Sequence, residues 1–196
     1  MLVLSTQTMA NPRIIGGQAR GMRLKPVPGN ITRPITDRVK EALFNILSAD
    51  ISDSDFLDLF GGTGSVGIQA LSRGASFVQF IDNNPSACSV LEENLIRSGF
   101  SEKANIKKID AFSYIQSITE MHFDYIFIAP PQYLNLWSKM VFLIDKKPGI
   151  LNENAWVIVQ IDPKEYEMLT LDQLVEFDTR NYGSTRLVFY FNNSAN

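Results

Sequence analysis

The stretch FLDLFGGTGSVG, residues 56–67, decides the fold class of this chain of 196 residues. It begins with an apolar run typical of a buried strand and continues into Gly62, Gly64 and Gly67, in the spacing G-x-G-x-x-G. Glycines are needed where the backbone turns tightly and a ligand approaches the start of the next helix without an intervening Cβ. The stretch therefore predicts a ligand site between a strand and a helix.

The rest of the chain alternates short β-type runs with helix-compatible segments. The predicted strands are FLDLF (56–60), FVQFID (77–82), ANIKKI (104–109), FDYIFI (123–128), AWVIVQI (155–161), LVEF (174–177) and TRLVFYF (185–191). Only the turn-rich DTRNYGS separates the last two, which leaves no room for a crossover helix. We therefore expect an α/β, Rossmann-like fold, a mostly parallel seven-stranded sheet with an antiparallel C-terminal hairpin.

Two helices carry clear boundary signals. The first begins after Thr36, which is placed to cap it, and has apolar residues at helical spacing from Val39 onward. The second spans residues 85–98, with Pro85 at its first position and Gly99 just past its end. We expect the first of these helices to lie at the border of the main domain.

Basic residues are concentrated near the N-terminus, although the whole chain has a net charge of −3. Residues 1–40 hold seven basic residues and one acid, whereas residues 41–196 hold 11 basic and 20 acidic residues. This asymmetry suggests a polyanionic partner, with a merely solvated basic surface as the alternative. We expect a flexible leader over residues 1–12, a basic β-hairpin and linker over 13–35, and the main domain over 36–196.

Cysteine usage and the first residues bear on localisation. Cys88 is the only cysteine, so no intramolecular disulfide is possible and zinc-type spacings are absent. The opening MLVLSTQTMA lacks the basic region and the long apolar run of a signal peptide or membrane span. We therefore expect a cytoplasmic protein without a metal site or membrane association.

Three acids follow predicted strands. Asp58 lies inside the end of the first strand, four residues before Gly62, where it would repel a pyrophosphate but would help to hold the sulfonium and ammonium groups of S-adenosylmethionine. Asp82 ends the second strand, where a carboxylate can accept hydrogen bonds from both ribose hydroxyls of a nucleotide. Asp110 follows the third strand and could either accept from the adenine amino group or cap the next helix. The acids favour S-adenosylmethionine over a nicotinamide dinucleotide, which remains the alternative cofactor.

The stretch FDYIFIAPPQYL, residues 123–134, runs from the fourth strand into two prolines. Proline fixes its own φ and restricts the preceding residue, and Pro131 has no N–H with which to rejoin the ladder. A rigid Pro130 carbonyl suits a methyltransferase for exocyclic amines, because accepting an amine N–H orients the lone pair toward the methyl group. An aromatic residue after the prolines could stack on the target base. The alternative is a plain surface turn.

Five stretches together resemble one known family. They are RIIGGQARGMRL, TRPITDRVKEALFNIL, FLDLFGGTGSVGIQALSRGA, FIDNN and APPQY. This combination resembles the ribosomal RNA small subunit methyltransferase D family from Arg13 to about Tyr133. The resemblance implies a Rossmann-like, S-adenosylmethionine-dependent methyltransferase that modifies N2 of guanine 966 in 16S rRNA. Its partner would be 16S rRNA, either free or in a small-subunit assembly particle.

The resemblance also implies which residues form the site. S-adenosylmethionine would be held by Asp58, Phe60, Gly62, Thr63, Gly64, Asp82, Asn83, Asp110 and Ala111. The cofactor and target base would be covered by Arg33, Pro34, Thr36 and Arg38. RNA would be bound by Arg13, Arg20, Arg23, Lys25, Arg33 and Arg38. The catalytic loop would consist of Ala129, Pro130, Pro131, Gln132 and Tyr133.

The catalytic loop departs from the family pattern, which is Asp or Asn, two prolines, then Tyr or Phe. Here Ala129 cannot accept a hydrogen bond through its side chain, and Tyr133 comes one place late, after Gln132. We expect reduced rather than abolished activity, with Gln132 as a substitute acceptor and Tyr133 as a stacking residue. The alternatives are a non-catalytic RNA-binding or ribosome-assembly protein, and an amino-methyltransferase for DNA or protein glutamine.

Overall fold

The computed structural model describes residues 11–29, 35–119 and 121–193. Its strands are β1 (Asp55–Asp58), β2 (Phe77–Asp82), β3 (Ala104–Lys108), β4 (Phe123–Ile128), β5 (Leu151–Ile161), β6 (Leu174–Tyr182) and β7 (Thr185–Asn192). They form a seven-stranded sheet in the order β3-β2-β1-β4-β5-β7-β6. The first five strands pair in parallel, while β7 pairs antiparallel with both β5 and β6. The predicted sheet and its C-terminal hairpin are confirmed.

Five α-helices connect or flank the strands in the described part of the chain. They are α1 (Asp37–Leu47), α2 (Gly67–Ser72), α3 (Pro85–Ser98), α4 (Ala111–Ser117) and α5 (Leu136–Asp145). The Thr36 side chain accepts from the Val39 N–H at the start of α1. Gly99 ends α3 with a left-handed φ of 76°, so both predicted helix boundaries are confirmed. Within the described ranges, no helix is long and apolar enough to cross a membrane.

Three predicted strand boundaries differ from the observed ones by two residues or more. Strand β1 ends at Asp58, because residues 59–60 already turn toward the glycine loop. Strand β5 begins at Leu151 rather than residue 155. Strand β6 extends to Tyr182, so most of the predicted link belongs to the ladder and only residues 183–184 make the turn. A two-residue hairpin loop opened by a glycine with positive φ explains this short connection.

Side chains that alternate along the strands face two separate cores. Phe56 points into the core that α1, α2 and α3 cover, and its neighbour Leu57 points into the core beneath α4 and α5. Both side chains are fully buried. This two-sided burial, with a period of two residues, is what a parallel sheet between helical layers requires.

The basic N-terminal segment lies against the helical layer formed by α1, α2 and α3. It reverses direction through a single antiparallel bridge between Arg13 and Arg23, so the predicted hairpin consists of one bridge rather than two regular strands. Ile14 and Leu24 are both fully buried in the adjoining core. The apolar residues of this segment thus fix its position, while most of its basic side chains remain exposed.

Buried polar side chains bind the backbone of this segment. The Asn94 amide accepts from the Lys25 N–H and donates to the Lys25 carbonyl. Gln69 accepts from the Ile15 N–H and donates to the Gly16 carbonyl. Asn94 and Gln69 are both fully buried. Because paired amides satisfy both groups of the bound backbone, the segment is held in one register without using its own side chains.

Lys40, on α1, joins this segment to the glycine loop. Its ammonium donates to the Arg13 carbonyl at 2.5 Å and to the Ser65 hydroxyl at 2.9 Å. The side chain is fully buried, and burial lowers its pKa to about 8, against the opposing effect of Asp37. The folded state therefore binds fewer protons than the unfolded state between pH 8 and 10.5.

We predict that the stability of the protein rises with pH across this window relative to a Lys40→Met variant. The sign follows because stability increases with pH wherever the unfolded chain binds more protons. At about 1.4 kcal/mol per pKa unit, the free energy of unfolding should gain at most about 3 kcal/mol. Urea unfolding of both proteins at pH 7, 8, 9 and 10 measures this gain. An exposed control, Lys139→Met, should behave as the wild type; a constant difference between wild type and Lys40→Met would contradict the prediction.

Candidate active site

The glycine loop and the proline loop leave the sheet side by side. Strands β1 and β4 are parallel neighbours, with Asp58 opposite Phe127. The Leu59 N–H donates to the Phe127 carbonyl at 3.1 Å, which extends the pairing one residue beyond β1. Ligands of open α/β sheets bind outside the carboxyl ends of the strands. This edge is therefore the candidate site, and it combines two of the sequence motifs.

The glycine loop is packed on one side and open on the other. Gly62 has a φ of +52°, and a Cβ built on it would have its nearest neighbour at 3.9 Å, the Phe60 carbonyl oxygen. Gly64 has a φ of +77°, and a Cβ there would lie 2.2 Å from the Leu91 side chain on α3. Gly64 thus fixes the loop against α3, whereas the side of the loop at Gly62 has room for a ligand.

Asp58 is a buried carboxylate at the base of this loop, only 2% exposed. Its Oδ2 accepts from the Gly67 N–H at 3.2 Å, while its Oδ1 has no partner among the described residues. Burial raises the pKa of Asp58 to about 7, against the opposing effect of the backbone N–H groups of Gly67 and Phe60, and the nearby charge of Asp82 raises it further. A cationic ligand group would favour the ionised form of this acid.

Asp82 joins the end of β2 to the glycine loop. Its Oδ2 accepts from the Gly62 N–H at 2.8 Å and its Oδ1 accepts from the Asn84 N–H at 2.9 Å. Each carboxylate oxygen has capacity for a further donor. Asn83, directly after Asp82, is exposed at the same edge. The geometry therefore brings Asp82 and Gly62 together, as the sequence predicted.

The remaining predicted cofactor residues have mixed environments. Asp110 caps α4 by accepting from the Ser113 N–H at 2.9 Å, and its Oδ1 has no hydrogen bond to the described residues. Ala111 is buried at the start of α4. Phe60 is half-buried against the core beneath α4 and α5, and the Thr63 carbonyl accepts from Asn94. The capping role of Asp110 is present, and it leaves one carboxylate oxygen for a ligand.

These residues fit S-adenosylmethionine. The unpartnered Oδ1 of buried Asp58 is an acceptor suited to a positively charged group. Asp82 supplies carboxylate oxygens for hydroxyl donors, and the open side of Gly62 avoids a steric clash. No cluster of three His, Cys, Asp or Glu side chains that could hold a metal ion occurs in residues 11–29, 35–119 and 121–193.

The proline loop lies beside the glycine loop. Ala129 is half-buried and packs against the core beneath α1, α2 and α3. Pro130 is buried, Pro131 is exposed and Gln132 is half-buried. Tyr133 is 64% exposed, with a φ of +63°. Its hydroxyl donates to Asp162, so the ring is already held by the segment after β5.

The predicted RNA-binding residues do not form one uniform group. Arg13 pairs with Asp37, and Lys25 pairs with Glu93. The exposed side chains that form no ion pair with the described residues are Arg20, Arg23 and Arg38. Arg33 and Pro34 lie outside the described residues. Among the described residues of this predicted group, three arginines therefore have no ion pair that would compete with a polyanion.

Several contributing residues were missed by the sequence analysis. Asn94 contacts both the basic segment and the glycine loop, since its amide donates to the carbonyls of Lys25 and Thr63. Asp162 and Glu165 contact Tyr133 from the segment after β5. Polar residues on the buried side of a helix, such as Asn94 on α3, are the one signal that could have indicated the first of these contacts.

Comparisons with known proteins agree with this geometry. A family described as Conserved hypothetical protein 95 matches residues 12–191. The ribosomal RNA small subunit methyltransferase D of Haemophilus influenzae is 35% identical over 160 residues, which cover 81% of this chain and 82% of that protein.

Solved structures show the same architecture. The yhhF protein of Escherichia coli superimposes with a TM-score of 0.82 at 29% identity, covering 93% of this chain and 98% of that one. An RNA methyltransferase from Salinibacter ruber, solved with S-adenosyl-L-homocysteine, gives a TM-score of 0.64 at 13% identity, covering 84% and 96%. The likeness at this low identity shows the fold alone, which is that of S-adenosylmethionine-dependent methyltransferases.

The match to the family over residues 12–191, the identity to its members and the shared fold all support one assignment. Membership of a methyltransferase family supports the predicted cofactor, S-adenosylmethionine. The chain therefore belongs to the ribosomal RNA small subunit methyltransferase D family.

Proposed function

We propose that this protein transfers a methyl group from S-adenosylmethionine to the exocyclic N2 amine of a guanine in small-subunit (16S) rRNA, in the cytoplasm. The observation that carries the proposal is the adjacency of the glycine loop and the proline loop, fixed by the Leu59 N–H bond to the Phe127 carbonyl. The first loop fits the methyl donor, and the second offers a rigid backbone to an amine. Family membership supports rRNA as the substrate class.

The proposal assigns roles to the residues of the cofactor loop. S-adenosylmethionine would supply the methyl group from its sulfonium: the C–S bond breaks as the C–N bond forms, the sulfur leaves as a neutral thioether, and the methylated amine loses one proton to solvent. Asp58 offers its buried carboxylate to the positive charge of the donor, and Asp82 accepts hydrogen bonds from its hydroxyls. The Gly62 N–H donates to Asp82, which ties the glycine loop to the end of β2.

The proline loop orients the acceptor in this proposal. The lone pair of a guanine amine is delocalised into the ring, so the amine must be turned toward the methyl group to react. The Pro130 carbonyl accepts one amine hydrogen, and the half-buried Gln132 amide takes the place of the missing acidic acceptor. The prolines fix the backbone, which reduces the entropy lost when the base is oriented.

Ala129 supports a second candidate function. A methyl side chain at this position accepts no hydrogen bond, and the surrounding core leaves it half-buried. A chain that keeps the cofactor fold and the basic segment but lacks this acceptor could bind rRNA during ribosome assembly without turnover. One lost hydrogen bond to a charged group corresponds to about 10- to 100-fold in rate. This magnitude favours slow catalysis over none.

Transfer of labelled methyl from S-adenosylmethionine tests both functions. The acceptors are small-subunit particles, naked rRNA and duplex DNA, with the labelled nucleotide mapped after digestion. We expect label on a guanine N2 of 16S rRNA, and we expect Ala129→Asp to raise kcat by about 10- to 100-fold because it restores one acceptor.

The matched control is Ala129→Leu, which adds similar bulk without an acceptor and should not raise the rate. Label on no acceptor with the wild type, together with label after Ala129→Asp, would establish the non-catalytic function. Label on DNA in preference to RNA would overturn the proposed substrate.

Asp58 generates a prediction about proton release. Its pKa of about 7 in the free protein should fall when a cationic ligand binds, so S-adenosylmethionine binding at pH 6 should release a proton. Calorimetric titration in buffers of different ionisation enthalpy counts the protons released. Asp58→Asn should bind more weakly and release none. S-adenosylhomocysteine, which lacks the sulfonium charge, should cause less release from the wild type; equal release from the wild type and Asp58→Asn would contradict the assignment.

In the basic segment, side chains without an ion pair should contribute more to rRNA binding than side chains that already pair with an acid. Replacing both Arg20 and Arg23 by alanine should weaken rRNA binding. It should also lower the salt dependence of the binding constant by the equivalent of about two phosphate contacts. Lys25→Ala should have a smaller effect, because Glu93 already pairs with its ammonium. Filter binding to 16S rRNA fragments from 50 to 300 mM salt provides the slopes. Equal losses for the double variant and for Lys25→Ala would show that the ion pair does not decide RNA contact.

A further inference from the structure

The segment after β5 lies next to the proline loop. Strands β4 and β5 are parallel neighbours, with Ile128 opposite Val159, so the chain leaves both strands at the same edge of the sheet. The residues after β5 form a short turn, Pro163–Glu165, capped by Asp162. This turn carries two acids that the roles assigned so far do not use.

Both acids bind Tyr133. The Tyr133 hydroxyl donates to Asp162 Oδ2 at 2.9 Å, and the Tyr133 backbone N–H donates to Glu165 Oε1 at 2.6 Å. Asp162 is itself held, since its Oδ1 accepts from the Lys164 N–H at 3.0 Å and only 7% of the residue is exposed. One tyrosine is thus fixed through its ring and through its backbone by a single rigid turn.

The backbone of Tyr133 supports an anchoring role. Its φ of +63° is left-handed, and Asn135 two residues later has a φ of +50°. Bulky residues other than glycine rarely adopt such a conformation, which persists when the surrounding contacts determine it. The bonds to Asp162 and Glu165 are contacts of this kind, and they act two residues after Pro131.

We infer that Tyr133 is a positioning residue, which Asp162 and Glu165 hold so that it fixes the proline loop for the target amine. Its hydroxyl is bound to the Asp162 carboxylate, so we assign it an anchoring rather than a stacking role. The inference rests on the proposed function and deepens it, since it assigns to the acids after β5 the task of holding the catalytic loop in place. The two roles predict different effects of removing the Tyr133 hydroxyl: a stacking residue would tolerate its loss, and an anchoring residue would not.

Two substitutions at Tyr133 separate these roles. Tyr133→Phe keeps the ring and removes the hydroxyl that donates to Asp162, so a stacking residue would tolerate it and an anchor would not. Tyr133→Leu removes both the aromatic ring and the hydroxyl. The matched control is Tyr166→Phe, which removes a tyrosine hydroxyl from the residue after the turn, one that donates to Glu176 at 2.8 Å rather than to Asp162 or Glu165. Glu165→Ala removes the backbone acceptor, and Glu165→Gln retains one.

The first measurement does not depend on enzymatic activity. Pro130 and Pro131 have no amide hydrogen, so hydrogen exchange in a peptide spanning residues 130–134 reports mainly on Gln132, Tyr133 and Leu134. We expect slow exchange at the Tyr133 amide in the wild type, at least about 10-fold faster exchange in Glu165→Ala, and recovery in Glu165→Gln. Tyr133→Phe should also increase exchange, and Tyr166→Phe should leave it unchanged.

The second measurement is methyl transfer with separate determination of kcat and of rRNA affinity. We expect Tyr133→Phe and Glu165→Ala each to lower kcat by about 10-fold, which corresponds to the loss of one charge-assisted hydrogen bond. Affinity for rRNA should remain within about twofold, because no stacking contact is lost. Melting temperatures of all variants establish that they are folded.

The outcomes distinguish the inference from the function on which it rests. Unchanged exchange in Glu165→Ala and Tyr133→Phe overturns the anchor, whatever the activity. Normal kcat in Tyr133→Phe with weakened rRNA binding in Tyr133→Leu also overturns it and establishes stacking. A wild type that transfers no methyl group overturns the proposed function alone, and the exchange measurement then still decides whether Tyr133 is an anchor.

Discussion

The parallel pairing of β1 with β4 is the interaction on which the site depends. The two strands lie far apart in the sequence, and each carries a motif that is weak evidence alone, a glycine loop in one case and a proline loop in the other. Their adjacency, extended by the Leu59 N–H bond to Phe127, places the glycine loop beside the proline loop, which in the proposed function bind the methyl donor and orient the acceptor. Group transfer requires two reactants at one place, so this pairing makes the two motifs one site.

Two buried ionisable groups lie on either side of the glycine loop. Lys40 reaches Ser65 from α1, and Asp58 reaches Gly67 from β1. Burial shifts the pKa of the lysine down to about 8 and that of the aspartate up to about 7. Such burial costs free energy in a free protein. The lysine is compensated by the basic segment, whose Arg13 carbonyl it binds, whereas one oxygen of the aspartate remains for a ligand to compensate.

Local signals predicted the parts of the fold that local chemistry controls. Thr36 and Pro85 mark helix starts because a cap and a fixed φ act within one turn, and the runs of β2 and β4 were predicted to the residue. The length of β6 was missed because residues 178–182 are polar and join the ladder only through their register with β7. Short polar runs of this kind have no periodicity that distinguishes a strand from a turn.

The candidate site was predicted in part for the same reason. Asp58 and Asp82 follow strands, so their meeting at one edge can be read from a parallel sheet. The contacts of Asn94 with the basic segment and of Asp162 with Tyr133 join residues about 30 or more positions apart, and no local pattern encodes them. The dual use of Asp110, as a helix cap with one oxygen left over, could be stated from the sequence only as two alternatives.

Ala129 removes one side-chain hydrogen-bond acceptor from the proline loop, and the surrounding structure limits the loss to that one bond. In this site the backbone, rather than the side chain at position 129, carries the rigidity: the prolines restrict it from within and the turn after β5 holds it through Tyr133. A rigid loop keeps the Pro130 carbonyl in place when a side-chain acceptor is lost. The site therefore loses one hydrogen bond but keeps the orientation of the base. Orientation accounts for a far larger share of a transfer rate than one hydrogen bond does. The alanine is therefore compatible with catalysis because the anchoring contacts lie outside the motif in which the substitution occurs.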